Sequence, residues 1–155
     1  MIQENKIAEY FNVVPELVPF IPELLTDLWE LGSSPELILQ WIHDFDLPPD
    51  LIRVLDMGCG KGAVSISLAK KFDFQVKGID FFEPFLKEAE KKAKEFNVST
   101  LCQFCLADIR EAVLSETEYN MVIYTAIGSV LGSLDQSIGK LRLTVNEGGL
   151  IIIDD

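Results

Sequence analysis

Three glycines at alternate positions, Gly58, Gly60 and Gly62, follow the apolar run Ile52 to Asp56 and precede a helix-forming stretch that starts at Ala63. Glycines spaced this way let the backbone turn sharply and keep side chains out of a ligand's path. A helix N-terminus behind such a loop offers unpaired N–H groups and the positive end of a dipole. That chemistry suits a carboxylate and equally suits a phosphate. Gly58-x-Gly60-x-x-Ala63 also fits a dinucleotide-binding pattern. Asp80, about 20 residues further on, can accept ribose hydroxyls, and many nucleoside ligands carry those. Asp56 narrows the choice. An acid just ahead of Gly58 opposes a pyrophosphate and is compatible with a ligand bearing ammonium and sulfonium charges.

These residues need a scaffold that brings strand ends together. From Leu51 onward the sequence alternates strands and helices. Strands are expected at Ile52 to Asp56, Gln75 to Asp80, Thr100 to Ala107, Tyr119 to Tyr124 and Gly149 to Ile153. Helices are expected at Ala63 to Lys71, Pro84 to Phe96 and Asp135 to Val145. Such alternation implies an α/β fold, a Rossmann-like doubly wound parallel sheet. Right-handed crossovers set the strand C-termini along one edge, where ligands bind. The expected strand order is 3-2-1-4-5.

Residues 1–50 read as a helical N-terminal cap ahead of a core at 51–155. Pro15, Pro19 and Pro22 break the first part, and Pro22 to Leu31 predicts a helix that stops at Gly32. Ser34-Pro35-Glu36 combines a serine cap, proline at the first helical position and an acid in the first turn, so a helix should run on to about Phe45. Leu47-Pro48-Pro49-Asp50 reads as a loop. The proline-broken segment is too short for a core of its own and should pack over the ligand site.

The later segments carry a resemblance. Asp56-x-Gly58-x-Gly60-x-Gly62, Val76-Lys77-Gly78-Ile79-Asp80, Ala107-Asp108-Ile109 and Asn146-Glu147-Gly148-Gly149-Leu150 come in the order seen in the class I methyltransferase family. The chain resembles that family over about residues 51–155. The resemblance implies S-adenosylmethionine as cofactor and methyl transfer to a small-molecule acceptor. It implies that Asp80 holds the ribose, that Asp108 meets the adenine amino group, and that the next backbone N–H, of Ile109, meets the ring. The cofactor-binding set is then Asp56, Gly58, Cys59, Gly60, Asp80, Phe81, Asp108 and Ile109. No catalytic residue is identified. Tyr124 and Thr125 at the end of strand four, and Asp154 and Asp155 after strand five, are placed to face the acceptor.

Blander roles stand beside these. Asp108 could cap a turn, Asp80 could cap the helix that follows it, and Trp29, Trp41 and Phe20 suit core packing better than a roof over the site. Two other functions remain open. One is a nicotinamide-dependent (NAD) oxidoreductase on a similar sheet, against which Asp56 and Asp108 argue. The other is a protein that binds S-adenosylmethionine without catalysis.

The bulk properties trim the field. At 155 residues and 48% apolar composition the chain suits one domain with one core. A net charge of −12 disfavours nucleic-acid and anionic-membrane partners, and Lys91, Lys92 and Lys94 read as a solvated helix face. The longest apolar runs are strand length and the N-terminus lacks a signal pattern, so a cytoplasmic protein is expected. Cys102 and Cys105 have redox or zinc spacing. Within a strand, however, they would point to opposite faces, and His43 is the only histidine, so no metal site is expected. The sequence stops just after strand five, which reads as a fragment of a longer protein with an open sheet edge that could self-associate.

Overall fold

Along the chain the elements run α1 (Ile2–Phe11), a 3-10 helix (Pro15–Phe20), α2 (Ile21–Leu24), α3 (Pro35–His43), β1 (Arg53–Met57), α4 (Ala63–Phe72), β2 (Gln75–Asp80), α5 (Glu83–Glu95), β3 (Cys102–Leu106), α6 (Ile109–Ala112), β4 (Tyr119–Thr125), α7 (Leu134–Leu141) and β5 (Val145–Asp154). The computed structural model describes residues 2–45, 47 and 52–154. The expected loop residues Pro48, Pro49 and Asp50, the boundary at Leu51, and Asp155 lie outside the described residues.

The five strands form one parallel sheet in the order β3-β2-β1-β4-β5. This is the expected Rossmann-like arrangement. Both faces of the sheet are covered, so its central strands are apolar on both sides. Val54 of β1 and Val76 of β2 join one core with Val64, Ile66 and Leu68 of α4 and Ile38 and Ile42 of α3. Leu55 and Met57 join the other core, with Ile109 and Ala112 of α6 and Leu141 of α7. Cys102 packs against the first core and Cys105 against the second, as the strand reading required.

The register of β1 aligns Met57 with Ile79 on β2 and with Tyr124 on β4. Their C-terminal ends therefore lie side by side, and the loops that follow them share one rim. In front of that rim, Ile7 and Ala8 of α1, Val18 and Ile21 pack on Phe82 and Phe85 at the start of α5. Ser34 caps α3, its side chain accepting from the Leu37 N–H with Pro35 in the first turn, as its sequence predicted.

Three local expectations are corrected. The helix predicted over Pro22 to Leu31 ends at Leu24. Beyond it the Leu25 carbonyl accepts the Leu28 N–H in a three-residue turn rather than the Trp29 N–H of a continued helix, and its second lone pair takes the Lys61 ammonium, far away in sequence. The last strand, expected to begin at Gly149, begins at Val145, and residues 146–149 lie inside it as a bulge. There the pairing with β4 jumps from Tyr119↔Val145 to Met121↔Leu150, and Gly148 takes a left-handed φ of 77°. Asp108 opens a short helix, α6, that the strand-helix pattern did not predict. Its side chain accepts from the Arg110 N–H.

Candidate functional site

The loop after β1 is pinned from below and from the side. Gly58 N–H and Cys59 N–H both donate to the Ile79 carbonyl of β2, at 2.8 and 3.0 Å. Gly60 N–H donates to Asp80 Oδ2 at 2.9 Å, and Phe82 N–H donates to Asp80 Oδ1 at 2.9 Å. One carboxylate thus ties the glycine loop to the entry of α5. With the Phe81 backbone N–H also bearing on it, these bonds still leave part of a carboxylate's acceptor capacity free. Burial pushes the Asp80 carboxyl above its ordinary pKa, and the backbone bonds pull the other way. Gly58 needs to be glycine: its φ is +77°, and a Cβ there would sit 2.6 Å from the Ile127 side chain.

Asp56 is buried rather than at the mouth of the site. Its Oδ2 accepts the Ser65 hydroxyl of α4 at 2.6 Å. Burial raises its pKa to about 6; the Ser65 bond opposes that shift and the neighbouring Asp80 charge adds to it. Cys59 is also buried, its thiol pKa pushed well up by burial. Such a thiol is a poor nucleophile.

Two cavities meet at this loop. One, of about 400 Å³, is lined by Asp56, Gly58, Cys59, Gly60 and Asp80, by Thr125 to Ile127 after β4, and by Leu25 and 28–33 of the N-terminal segment. The other, of about 620 Å³, is lined by Asp80, Phe81, Leu106 to Arg110 and Lys6, Glu9 of α1. Gly58, Asp80, Phe81, Ile127 and Tyr10 line both and form the waist between them. The combined space suits an elongated ligand of cofactor size.

At the far end of the larger cavity Asp108 is heavily engaged. Arg110 donates to it from its backbone at 3.0 Å and from its guanidinium Nε at 2.9 Å, and Lys6 Nζ stands at 3.8 Å. The Arg110 bonds hold the carboxyl below its ordinary pKa. Asp108 therefore performs the capping role weighed for it. Asp80 also holds the start of α5, through Phe82. Ile109 N–H is the first of α6, a group that the helix itself cannot satisfy.

All eight predicted residues line one cavity or the other. The positions proposed to face an acceptor separate. Thr125 lines the smaller cavity, where its Oγ1 accepts the Ser33 hydroxyl at 2.7 Å. Tyr124 does not face it: its hydroxyl donates to the Gly128 carbonyl and accepts from Leu131 N–H on the opposite face of the sheet. Asp154 lines neither cavity among the described residues; its carbonyl accepts from Ala126 N–H. Trp29 both packs against the first core, as expected, and lines the smaller cavity, while Trp41 and Phe20 stay exposed and fill no core.

Sequence reasoning missed Tyr10, Ser33 and above all Lys61. A lysine in a glycine loop reads as solvated, yet Lys61 is 1% exposed. Its Nζ donates to the Leu25 carbonyl at 2.5 Å and pairs with Glu88 of α5 at 2.9 Å, while its own carbonyl accepts from Trp29 Nε1 at 3.1 Å. No local pattern announces these partners.

Comparison with known proteins adds four likenesses. Residues 49–155 match a family model described as a methyltransferase domain. The chain is 30% identical over 102 residues to a malonyl-[acyl-carrier protein] O-methyltransferase of Priestia megaterium, covering 65% of this chain and 35% of that protein. It is 42% identical over 109 residues to a carboxy-S-adenosyl-L-methionine synthase of Nitratiruptor, covering 68% of this chain and 40% of that protein. In fold it is similar to a SAM-dependent methyltransferase from Geobacter sulfurreducens solved with S-adenosyl-L-homocysteine. The TM-score is 0.77 at 23% identity, over 87% of this chain and 54% of that one. The chain spans well under half the length of the curated relatives it matches.

Proposed function

The chain belongs to the class I S-adenosylmethionine-dependent methyltransferases, and on that premise we propose that it binds S-adenosylmethionine across the two joined cavities and passes the methyl group to a small-molecule acceptor. The observation that carries this reading is the Asp80 waist. A buried carboxylate with free acceptor capacity stands between a cavity floored by the glycine loop and one ending at Asp108 and Ile109.

When bound, the cofactor supplies a methyl group already activated by its sulfonium. The protein's part is then alignment and exclusion of water. Asp80 would hold the ribose. Ile109 N–H and the remaining lone pairs of Asp108 would take the base, with Phe81 beside it. Asp56, Gly58, Cys59 and Gly60 would receive the amino-acid end, where the buried acids balance its ammonium and the nearby sulfonium. Residues 1–50 act as the cap, since α1 lines both cavities and 28–33 line the smaller one. Thr125 and Ser33 are the polar groups we place nearest the acceptor.

The relatives' names differ in what they act on, so the acceptor is not carried over from any of them. Three free cysteines support a reducing, cytoplasmic setting. Among the described residues no helix is long and apolar enough to cross a membrane. Among the described residues β5 pairs only with β4 in the sheet, and its outer edge is where we place any self-association. Light scattering across a concentration series tests that edge, and a strictly monomeric protein would remove it. Calorimetric titration with S-adenosylhomocysteine and with NADH tests the cofactor. Saturable binding of the first alone is expected; tighter binding of NADH would overturn the reading. A screen of acceptors with methyl-labelled cofactor then tests transfer.

A further inference from the structure

Lys61 makes contacts in three directions, and all of them join the glycine loop to something else. Its ammonium donates to the Leu25 carbonyl and pairs with Glu88 on α5. The same ammonium lies 5.6 Å from the centre of the Phe85 ring. Its carbonyl accepts the Trp29 indole N–H. Leu25 and Trp29 begin the irregular stretch 25–33, which follows α2 and precedes α3 without regular secondary structure. That stretch lines the smaller cavity at Leu25 and from Leu28 to Ser33. Its far end is fixed by the Ser33 bond to Thr125 and by Gly32. A Cβ on Gly32 would come within 2.8 Å of the Ala126 Cβ. Midway, the Leu31 side chain lies 3.3 Å from where a Cβ on Gly60 would stand.

The roof of this cavity is therefore fastened to the loop that floors it, through both the side chain and the backbone of one residue. A shift of the loop around Gly60 moves the Lys61 carbonyl and ammonium together. Either movement strains or seats the bonds to Trp29 and Leu25. A lysine enclosed to this degree is expensive to bury unless its partners are well placed. The arrangement thus favours one relative position of loop and roof. We propose that Lys61 is a positioning residue: cofactor occupancy of the glycine loop is relayed through it to stretch 25–33, which then closes over the reacting end of the site. Lys61 borders the smaller cavity, and in this role it acts through Leu25 and Trp29.

This inference rests on the cofactor reading above, and the experiment keeps the two apart. Hydrogen exchange is followed on the full chain with and without saturating S-adenosylhomocysteine, in the wild type and in Lys61→Met, which keeps a long buried side chain without the ammonium. In the wild type the ligand should slow exchange both at 57–62 and at 25–33, by roughly tenfold. In K61M it should still slow 57–62 but leave 25–33 nearly unchanged, and the ligand should bind about tenfold more weakly. A merely structural role would lower the urea midpoint without separating the two segments' responses to ligand. Trp29→Phe is the second variant should K61M not fold. It keeps an aromatic ring to stack on Phe96 and loses the indole N–H along with the second ring. It should cut the ligand-induced slowing at 25–33 by about fivefold. Equal slowing at 25–33 in both variants and wild type overturns the relay. So does a wild type that responds at 57–62 alone. A wild type that responds at neither segment overturns the cofactor reading, and the relay with it.

Discussion

The sheet and the segment in front of it hold their places by different means. In β1 and β4, Val54, Leu55, Met57, Met121, Val122 and Ile123 are fully enclosed. Between Pro15 and Leu28, residues of the same apolar kind stay in water: Leu24 is 71% exposed, Phe20 53% and Leu28 52%. The strands are covered on both faces by helices that chain connectivity puts there. Ahead of α3 the N-terminal segment has fewer apolar anchors, chiefly Ile7, Ala8, Val18 and Ile21 with Trp29 packed on the first core, and it adds directed polar bonds to Lys61 and Thr125. Buried area makes the platform rigid, while a handful of polar bonds makes the roof responsive. A site that admits a ligand and then shuts water out needs both.

The largest test of that contrast is a core truncation. Leu55→Ala should cost about 2–5 kcal/mol of stability in urea denaturation, because the space it leaves lies in the sheet's interior. A loss under 1 kcal/mol would mean that the platform is softer than its packing implies. Next comes Asp80→Ala. It removes the carboxylate that ties loop to α5 and should lower S-adenosylhomocysteine affinity by about 1.5–3 kcal/mol in calorimetry. Unchanged affinity would remove Asp80 from the ribose.

A pH series sharpens the comparison further. Asp56 has an ordinary pKa of 3.8 and one of about 6 in the fold. Between those values the folded chain holds a proton that the unfolded chain has released. This carboxyl therefore favours the fold on the acid side and ceases to do so as pH rises through about 6. A cationic ligand beside Asp56 prefers the ionised form, so its binding should strengthen as the carboxyl titrates. S-adenosylmethionine affinity should rise about tenfold from pH 5 to pH 7. S-adenosylhomocysteine, which lacks the sulfonium charge, should show a smaller rise, and Asp56→Asn should flatten both. Identical slopes for the two ligands would place the sulfonium away from Asp56. The smallest effect belongs to the exposed segment: Leu24→Ala should change stability by no more than about 0.5 kcal/mol. A loss like that of L55A would show that Leu24 is covered in solution.

Much of the platform was legible residue by residue. Short apolar runs bounded by Gly, Asp and Pro marked each strand, and their alternation with helices implied the parallel sheet. The Ser34-Pro35 start of α3 was local chemistry of the kind a sequence displays. Gly58, Gly60 and Asp80 were legible as a site because their spacing already places them at adjacent strand ends. Asp108 was found by position, but its engagement with Arg110 and its role in starting α6 were not.

What the sequence by itself determined is whatever neighbours along the chain decide: strand against helix, the cap of α3, the sharp turns of the glycine loop and the set of strand ends. Tertiary structure alone decided the rest. The stretch Pro22 to Leu31 has helical propensity, yet regular helix ends at Leu24, and beyond it the turn at Leu25 and the indole of Trp29 are held by Lys61, 36 residues from Leu25. Tyr124 looked free to face an acceptor, yet its hydroxyl belongs to Gly128 and Leu131. Propensity differences amount to fractions of a kcal/mol per residue, and one well-placed bond to a charged group outweighs several of them. Such bonds exist only once the sheet has brought distant residues together.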